Sequence, residues 1–168
     1  FSNIGSTLVD LGNNFATTEK PIMEMAHRMA GAGKQVGLTE AQVLGFAAAL
    51  SSVGIEAQMG GSAFSKALIK MEVASATGGD ALEDFGRVAG MTAQQFKTLW
   101  DNDPAAAFEA FIVGLSKLDD EGESAIAVLD EIGIKEVRLR DTMLRAVNAT
   151  DLFSRAQSMA TSAWKKNI

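Results

Sequence analysis

Four Gly-hydrophobe pairs constrain the fold of this chain most strongly, because each follows a stretch of apolar residues with helical spacing. A glycine in the left-handed conformation followed by a hydrophobic residue is the Schellman ending of an α-helix. The pairs are Gly37-Leu38, Gly54-Ile55, Gly90-Met91 and Gly133-Ile134. They predict short helices joined by tight turns, and they exclude one straight helix running the length of the chain.

The starts of several helices are marked as well. A capping box satisfies two free backbone N–H groups, through a hydroxyl at the N-cap and a Glu or Gln three residues later. The motifs are Thr39-x-x-Gln42 and Thr92-x-x-Gln95, with Asp80-x-x-Glu83 as a similar pattern. Asp103-Pro104 places an N-cap before a proline at the first helical position, where the missing N–H costs nothing.

Apolar residues recur at helical spacing along almost the whole chain. The strongest face is Phe108, Phe111, Ile112, Leu115 and Leu118. Residues 137–140 alternate as a strand would, but the residues that follow return to helical spacing. We therefore predict an all-α fold, a compact multi-helix bundle of about nine or ten short helices joined by Gly-hydrophobe turns and αα-hairpins.

The length of 168 residues favours one helical domain, residues 1–168, with possible subdomains 1–79 and 80–168. The sequence begins at Phe1 without an initiator methionine, so we expect a fragment of a much longer chain. No apolar run reaches the roughly 18–20 residues that cross a bilayer, and we expect no membrane span in this segment.

The net charge of −6 is unevenly distributed. Residues 80–131 carry twelve acidic and three basic side chains, whereas residues 135–166 carry seven basic and three acidic ones. A solvated surface is the simpler interpretation of both stretches. The alternative is that they pair head to tail, within one chain or between copies, which would give self-association.

The chain offers few residues for catalysis or for binding a cofactor. It has no cysteine and a single histidine, His27, whereas a zinc site needs three or four ligands. Gly31-Ala32-Gly33-Lys34 does not match a phosphate-binding loop, because Gln35 follows where Ser or Thr is required, and it suggests a loosened helix end. We expect no catalytic, cofactor-binding or metal-binding residues, no cofactor and no enzyme activity.

Residues 44–71 have the pattern of a helix-turn-helix, which makes a DNA-binding module the main alternative. A DNA reader needs basic side chains on and around its second helix. That helix carries only Lys66 and Lys70, with Glu56 and Glu72 nearby. We therefore favour an αα-hairpin used for packing and expect no specific nucleic acid partner.

Glycines are the residues to which we assign a structural role. Small residues at Gly60 and Gly61, predicted at the start of the helix that carries Phe64, let another helix approach closely. The predicted turn and close-packing residues are Gly37, Gly54, Gly60, Gly61, Gly90 and Gly133.

The run from Gly37 to Leu68 resembles the core of phage tail tape measure proteins. That family typically shows a Gly-apolar turn, an alanine-rich helix, a Gly-Ile turn and a helix start similar to Ala-Gly-Thr-Ala, for which residues 59–63 stand here. Residues 85–115 and 129–146 are similar to the family as well. The resemblance covers nearly the whole chain, and the order of the motifs is more specific than any one turn.

The resemblance implies a structural component of a phage tail, the tape measure that sets tail length during assembly. It implies a location in the lumen of the virion tail until DNA ejection, and in the host cytoplasm during assembly. The implied partners are the tail tube protein, the tail assembly chaperones, baseplate hub or distal tail proteins, and other copies of the chain. Part of a tail-associated peptidoglycan-cleaving protein is a further alternative.

Overall fold

A computed structural model describes residues 2–15, 17–118 and 124–166. These residues form ten α-helices and one 3-10 turn, Val147–Ala149, and contain no β-strand. The helices are α1 (Ser2–Asn14), α2 (Glu19–Val36), α3 (Glu40–Ser52), α4 (Ala57–Thr77), α5 (Asp80–Val88), α6 (Ala93–Asn102), α7 (Pro104–Lys117), α8 (Ala125–Ile132), α9 (Val137–Ala146) and α10 (Thr150–Lys166). The predicted all-α bundle of short helices is confirmed.

The glycines of the four predicted Gly-hydrophobe pairs all follow a helix and have positive φ. The angles are 91° at Gly37, 82° at Gly54, 75° at Gly90 and 100° at Gly133. After each glycine, the N–H of the hydrophobic residue donates to a carbonyl five residues earlier, as Leu38 does to Gly33 over 2.8 Å. Left-handed backbone favours glycine, and these bonds satisfy carbonyls that the helix end leaves free.

The two capping boxes are confirmed. Thr39 accepts from the backbone N–H of Gln42, and the Gln42 side chain accepts from the backbone N–H of Thr39. Thr92 and Gln95 make the same two bonds. At the start of α7, the Asp103 carboxylate accepts from the N–H of Ala106 over 3.2 Å.

The predicted cap at Asp80 is wrong. The N-cap of α5 is Gly79, and Asp80 is the first helical residue. The reason is the preceding turn, in which Gly78 and Gly79 have φ of 72° and 80° and bring the chain into the helix one residue early. Asp80 and Glu83 instead lie in the first turn, where negative side chains interact favourably with the positive end of the helix dipole.

Two other glycine segments lie inside helices, not at their ends. Helix α4 begins at Ala57, so Gly60 and Gly61 do not open it. Helix α2 continues to Val36, so residues 31–34 are not a loosened end. Gly33, Gly60 and Gly61 are buried at contacts between elements, where packing of the helix outweighs the weak helix propensity of glycine, whereas Gly31 is exposed.

The core is centred on α3. Every residue from Val43 to Leu50 is buried, so two turns of this helix have no exposed side. Phe46 makes edge-to-face contacts with Phe108 and Phe153, at centroid distances of 5.3 and 5.5 Å. Helices α1, α2 and α10 pack around α3.

The two halves of the sequence share this core. Helix α10 packs on α1 and α3, and α9 packs on α4. Gln157 of α10 donates to the Gln42 carbonyl over 2.8 Å. The Trp100 indole N–H donates to the Glu72 carboxylate over 2.7 Å. We propose that residues 1–168 form one domain, because residues 1–79 alone would expose the side of α3 that α10 covers.

The crossing of α2 and α4 is the most extensive contact between two helices of the described chain. A Cβ on Gly61 would lie 2.5 Å from Cβ of Arg28, and one on Gly60 would lie 2.9 Å from Cε of Met25. Real Cβ atoms do not approach that closely. The Met25 methyl group could move aside, but Cβ of Arg28 is fixed to the backbone, so the close approach of α2 and α4 depends on glycine at position 61.

Residues 1–79 expressed alone should not fold cooperatively, because α3 would lose its cover. Circular dichroism during heating should show a broad, weak transition and the fragment should aggregate. The full chain should unfold in one transition, with the same midpoint by circular dichroism and by tryptophan fluorescence. A monomeric 1–79 fragment that melts as sharply as the full chain would contradict a single domain.

Replacement of Gly61 by Val should destabilise the protein by about 1–3 kcal/mol, because the new side chain overlaps Arg28. The matched control is Gly31→Val in α2, where a Cβ would meet nothing within 4 Å. We expect the control to change the free energy of unfolding by less than about 0.5 kcal/mol. Urea denaturation measures both, and equal midpoints for the two variants would refute the close approach at Gly61.

Candidate functional site

The six glycines assigned a structural role do not meet at one place. Four lie at separate helix ends, after α2, α3, α5 and α8, and two lie at the crossing of α2 and α4. They are spread through the scaffold and do not line one cavity.

Sequence reasoning missed a tighter glycine. A Cβ on Gly114 of α7 would lie 1.8 Å from the carbonyl oxygen of Val88, at the end of α5. A backbone atom at that distance cannot move aside as a flexible side chain could. The sequence gives one signal, a glycine within the apolar sequence of α7 directly before Leu115, but it does not show which element that glycine approaches.

The single histidine, His27, is exposed on α2, and the exposed Glu24 lies one helical turn before it. In the ranges that the structure describes, no three His, Asp or Glu side chains are grouped so that they could hold a metal ion. No described helix is long and apolar enough to cross a membrane.

The helices of the suggested helix-turn-helix do not pair as expected. The αα-hairpin predicted for residues 44–71 is wrong, because α3 and α4 make little contact with each other and both pack mainly on other helices. Helix α4 packs on α2, α9, α5 and α6. Its exposed Lys66 lies 3.5 Å from the Glu136 carboxylate. Helix α4 therefore offers only two lysines, one of them beside a carboxylate, which is fewer basic side chains than a DNA-reading helix needs.

A polar cleft of about 520 Å³ lies between the start of α7 and α10. It contains Asp103, Glu109, Gln157 and Lys165. Burial raises the pKa of Glu109, and the negative charge of Asp103 raises it further. The Gln157 Oε1 atom is buried and has no hydrogen-bond partner in the described part of the chain. The cleft can accept hydrogen bonds from a donor group, but it presents no nucleophile with an adjacent base.

Some side chains of the two charged stretches of the sequence make contacts within the molecule. Arg155 of α10 donates to the Asn14 carbonyl over 2.7 Å and lies 4.6 Å from the centre of the Phe15 ring. Arg87 of α5 contacts Asp84 and Glu131, which joins α5 to α8. These charged side chains therefore join helices to each other, and no catalytic arrangement is formed by them.

A family model described as phage-related minor tail protein matches residues 1–133. The chain belongs to this family. The family gives it a structural role in a phage tail, with partners among the components of tail assembly. Searches of curated proteins and of solved structures gave no significant match.

The match to the minor tail family ends at Gly133, the glycine that follows α8. Helices α9 and α10 lie beyond it. Helix α10 nevertheless packs on α1 and α3, which lie within the match. The core of this minor tail protein is thus completed by residues outside the matched region.

Replacement of Glu109 by Gln should stabilise the protein at pH 7, because the neutral amide is buried at less cost than the carboxylate and is not repelled by Asp103. Water screens part of both effects, so we expect a gain of up to about 1 kcal/mol. The folded-state pKa of Glu109 is raised, so its contribution to stability is present at low pH and is lost as pH rises through that pKa. The advantage of the variant should therefore vanish below about pH 4, near the ordinary carboxyl pKa.

Thermal melts of the wild type and Glu109→Gln from pH 3 to pH 8 measure this difference. Glu24→Gln, on the exposed face of α2, controls for the loss of one charge and should show no such rise with pH. An advantage of Glu109→Gln that is constant across the pH range would show that the effect is not electrostatic.

Proposed function

We propose that this segment is part of a tape measure protein, the tail component that sets tail length. The observation that carries the proposal is the family match over residues 1–133. The order of Gly-hydrophobe turns and capped helices, found at Gly37, Gly54 and Gly90, supports it because it runs through the matched region. The role we propose is structural and not enzymatic.

The segment acts, in this proposal, as a compact domain and not as a rod. Its helices are 8 to 21 residues long, and its first and last helices pack on each other. A single straight helix of the same length would span about 250 Å, at roughly 1.5 Å per residue. The compact bundle either forms a globular part of the tape measure or rearranges to fit the tail tube.

The proposed partners follow from this role. They are the tail tube protein, the tail assembly chaperones, baseplate hub or distal tail proteins, and other copies of the segment. The proposed location is the lumen of the virion tail, with the host cytoplasm as the site of assembly. Self-association is supported by the uneven charge of the surface, since copies in one tail are at high local concentration.

An in-frame deletion of the segment from the parent protein tests this proposal. Loss of a compact domain should shorten tails by much less than about 250 Å, the full helical length. Failed assembly would also fit, because a docking element would be lost. Tail lengths are measured by electron microscopy, with deletion of an equally long, uninterrupted helical stretch of the parent as the control.

Three results would contradict the proposal. Viable tails shortened by the full helical length would show that the segment is a rod, and small-angle scattering of the isolated segment with rod-like dimensions would show the same. Viable tails of unchanged length, with assembly intact, would show that the segment has no part in setting length.

A further inference from the structure

A basic groove of about 620 Å³ lies between α4 and the turn from α8 to α9. We define the basic groove by Lys66, Lys70 and Lys135 around the apolar side chains of Ile69 and Ile134. The Lys70 Nζ atom lies 3.2 Å from where a Cβ on Gly133 would be, so α4 is close to the end of α8. Two of its lysines come from the first half of the sequence, and the fold brings them to Lys135.

Exposed acidic side chains lie on α5 and α8, which pack on each other, and α5 also packs on α4, the helix that carries two lysines of the basic groove. We define the acidic patch by Asp80 and Glu83 of α5 and Asp130 and Glu131 of α8, all of which are exposed. The Arg87 guanidinium is 3.5 Å from the Glu131 carboxylate, which holds α5 next to the last turn of α8. Because Glu131 is only two residues from Gly133, which lines the basic groove, the α8 part of the acidic patch adjoins the groove at the end of α8.

Exposed apolar side chains accompany both charged surfaces. Ile126 of α8 is 50% exposed, and it lies one helical turn before Asp130 on the same face. Val137, two residues after Lys135, is 61% exposed, and Val73, one turn after Ile69 on α4, is 55% exposed. Apolar area beside complementary charge is what a weak, reversible interface requires.

We propose that a second copy of this segment docks on this surface through a two-fold contact. In such a contact the same surface is used by both copies and must be complementary to itself. A surface that carries a basic groove beside an acidic patch meets this condition, because each copy places its acidic patch on the groove of the other. Charge complementarity thus identifies the occupant as a second copy.

The ion pairs already present leave the lysines available for this contact. Lys66 is paired with Glu136 over 3.5 Å, but the two side chains are 54% and 69% exposed. Exposed pairs of this kind are weak and are screened by salt. Lys66 can therefore exchange Glu136 for a carboxylate of the partner copy, and the dimer should weaken as salt is added. The inference deepens the proposed self-association and rests on that part of the proposed function.

Sedimentation equilibrium of the isolated segment tests the contact. The average mass should rise with protein concentration at low salt and fall when salt is added. Lys66→Glu/Lys135→Glu should raise the dissociation constant at least about tenfold. The matched control, Lys20→Glu/Lys34→Glu, makes the same change in net charge at exposed positions of α2 and should leave the constant nearly unchanged.

A mixing experiment separates a specific two-fold contact from general charge effects. Glu83→Lys/Asp130→Lys makes the acidic patch positive, and this variant alone should also fail to dimerise. A mixture of the groove and patch variants should form a heterodimer, because one then has two negative surfaces and the other two positive ones. The matched mixture, with the α2 control in place of the groove variant, should stay monomeric apart from the control's own dimers.

Three outcomes would overturn the inference. They are a monomer at millimolar concentration and low salt, equal effects of the groove and control variants, and the absence of a heterodimer in the mixture. The circular dichroism spectrum of each variant must match that of the wild type. A lower average mass then reflects weaker association and not unfolding. These experiments do not measure tail length, so they can refute the dimer contact without refuting the tape measure proposal.

Discussion

The fold depends on the burial of α3, a helix without a polar side from Val43 to Leu50. Such a helix must be covered in every direction, and burying each of its larger side chains contributes about 1.5–3 kcal/mol. Helices α1 and α2, near the start of the chain, and α10, near its end, cover α3. Phe46 therefore meets Phe153 across more than half of the sequence. Closure of the chain around α3 makes the ten helices one bundle.

Local features of this bundle could be predicted from sequence, because they depend on neighbouring residues alone. The Thr39–Gln42 capping box and the left-handed turn at Gly37 need only residues within a few positions of each other. Tertiary pairings could not be predicted in this way. The axes of α2 and α4 approach at Gly61, so the expected hairpin of α3 and α4 does not form. Gly114 was missed because its neighbour, the Val88 carbonyl, lies in another helix.

The distinction between local features and tertiary pairings also applies to the charged surface. Composition indicated correctly that the charge is uneven, but not which charges share a surface. Lys66 and Lys70 belong to neither charged stretch of the sequence, and the fold brings them beside Lys135. Arg155 belongs to the basic stretch, yet it is bound to the end of α1. The charge available to a partner is therefore decided by which helices pack together, and a count along the sequence cannot show it.

The burial of α3 also limits how this minor tail protein can change shape. An extended, rod-like form would separate α10 from α3 and expose the apolar surface around Phe46 and Leu50 to water. Exposing that surface is unfavourable in proportion to its area, and the turns at Gly37 and Gly54 would have to become helical as well. A narrow form is thus stable only if other copies or the wall of a tube cover the same side chains. Any extension of the segment is thereby coupled to assembly, and the free protein keeps its compact form.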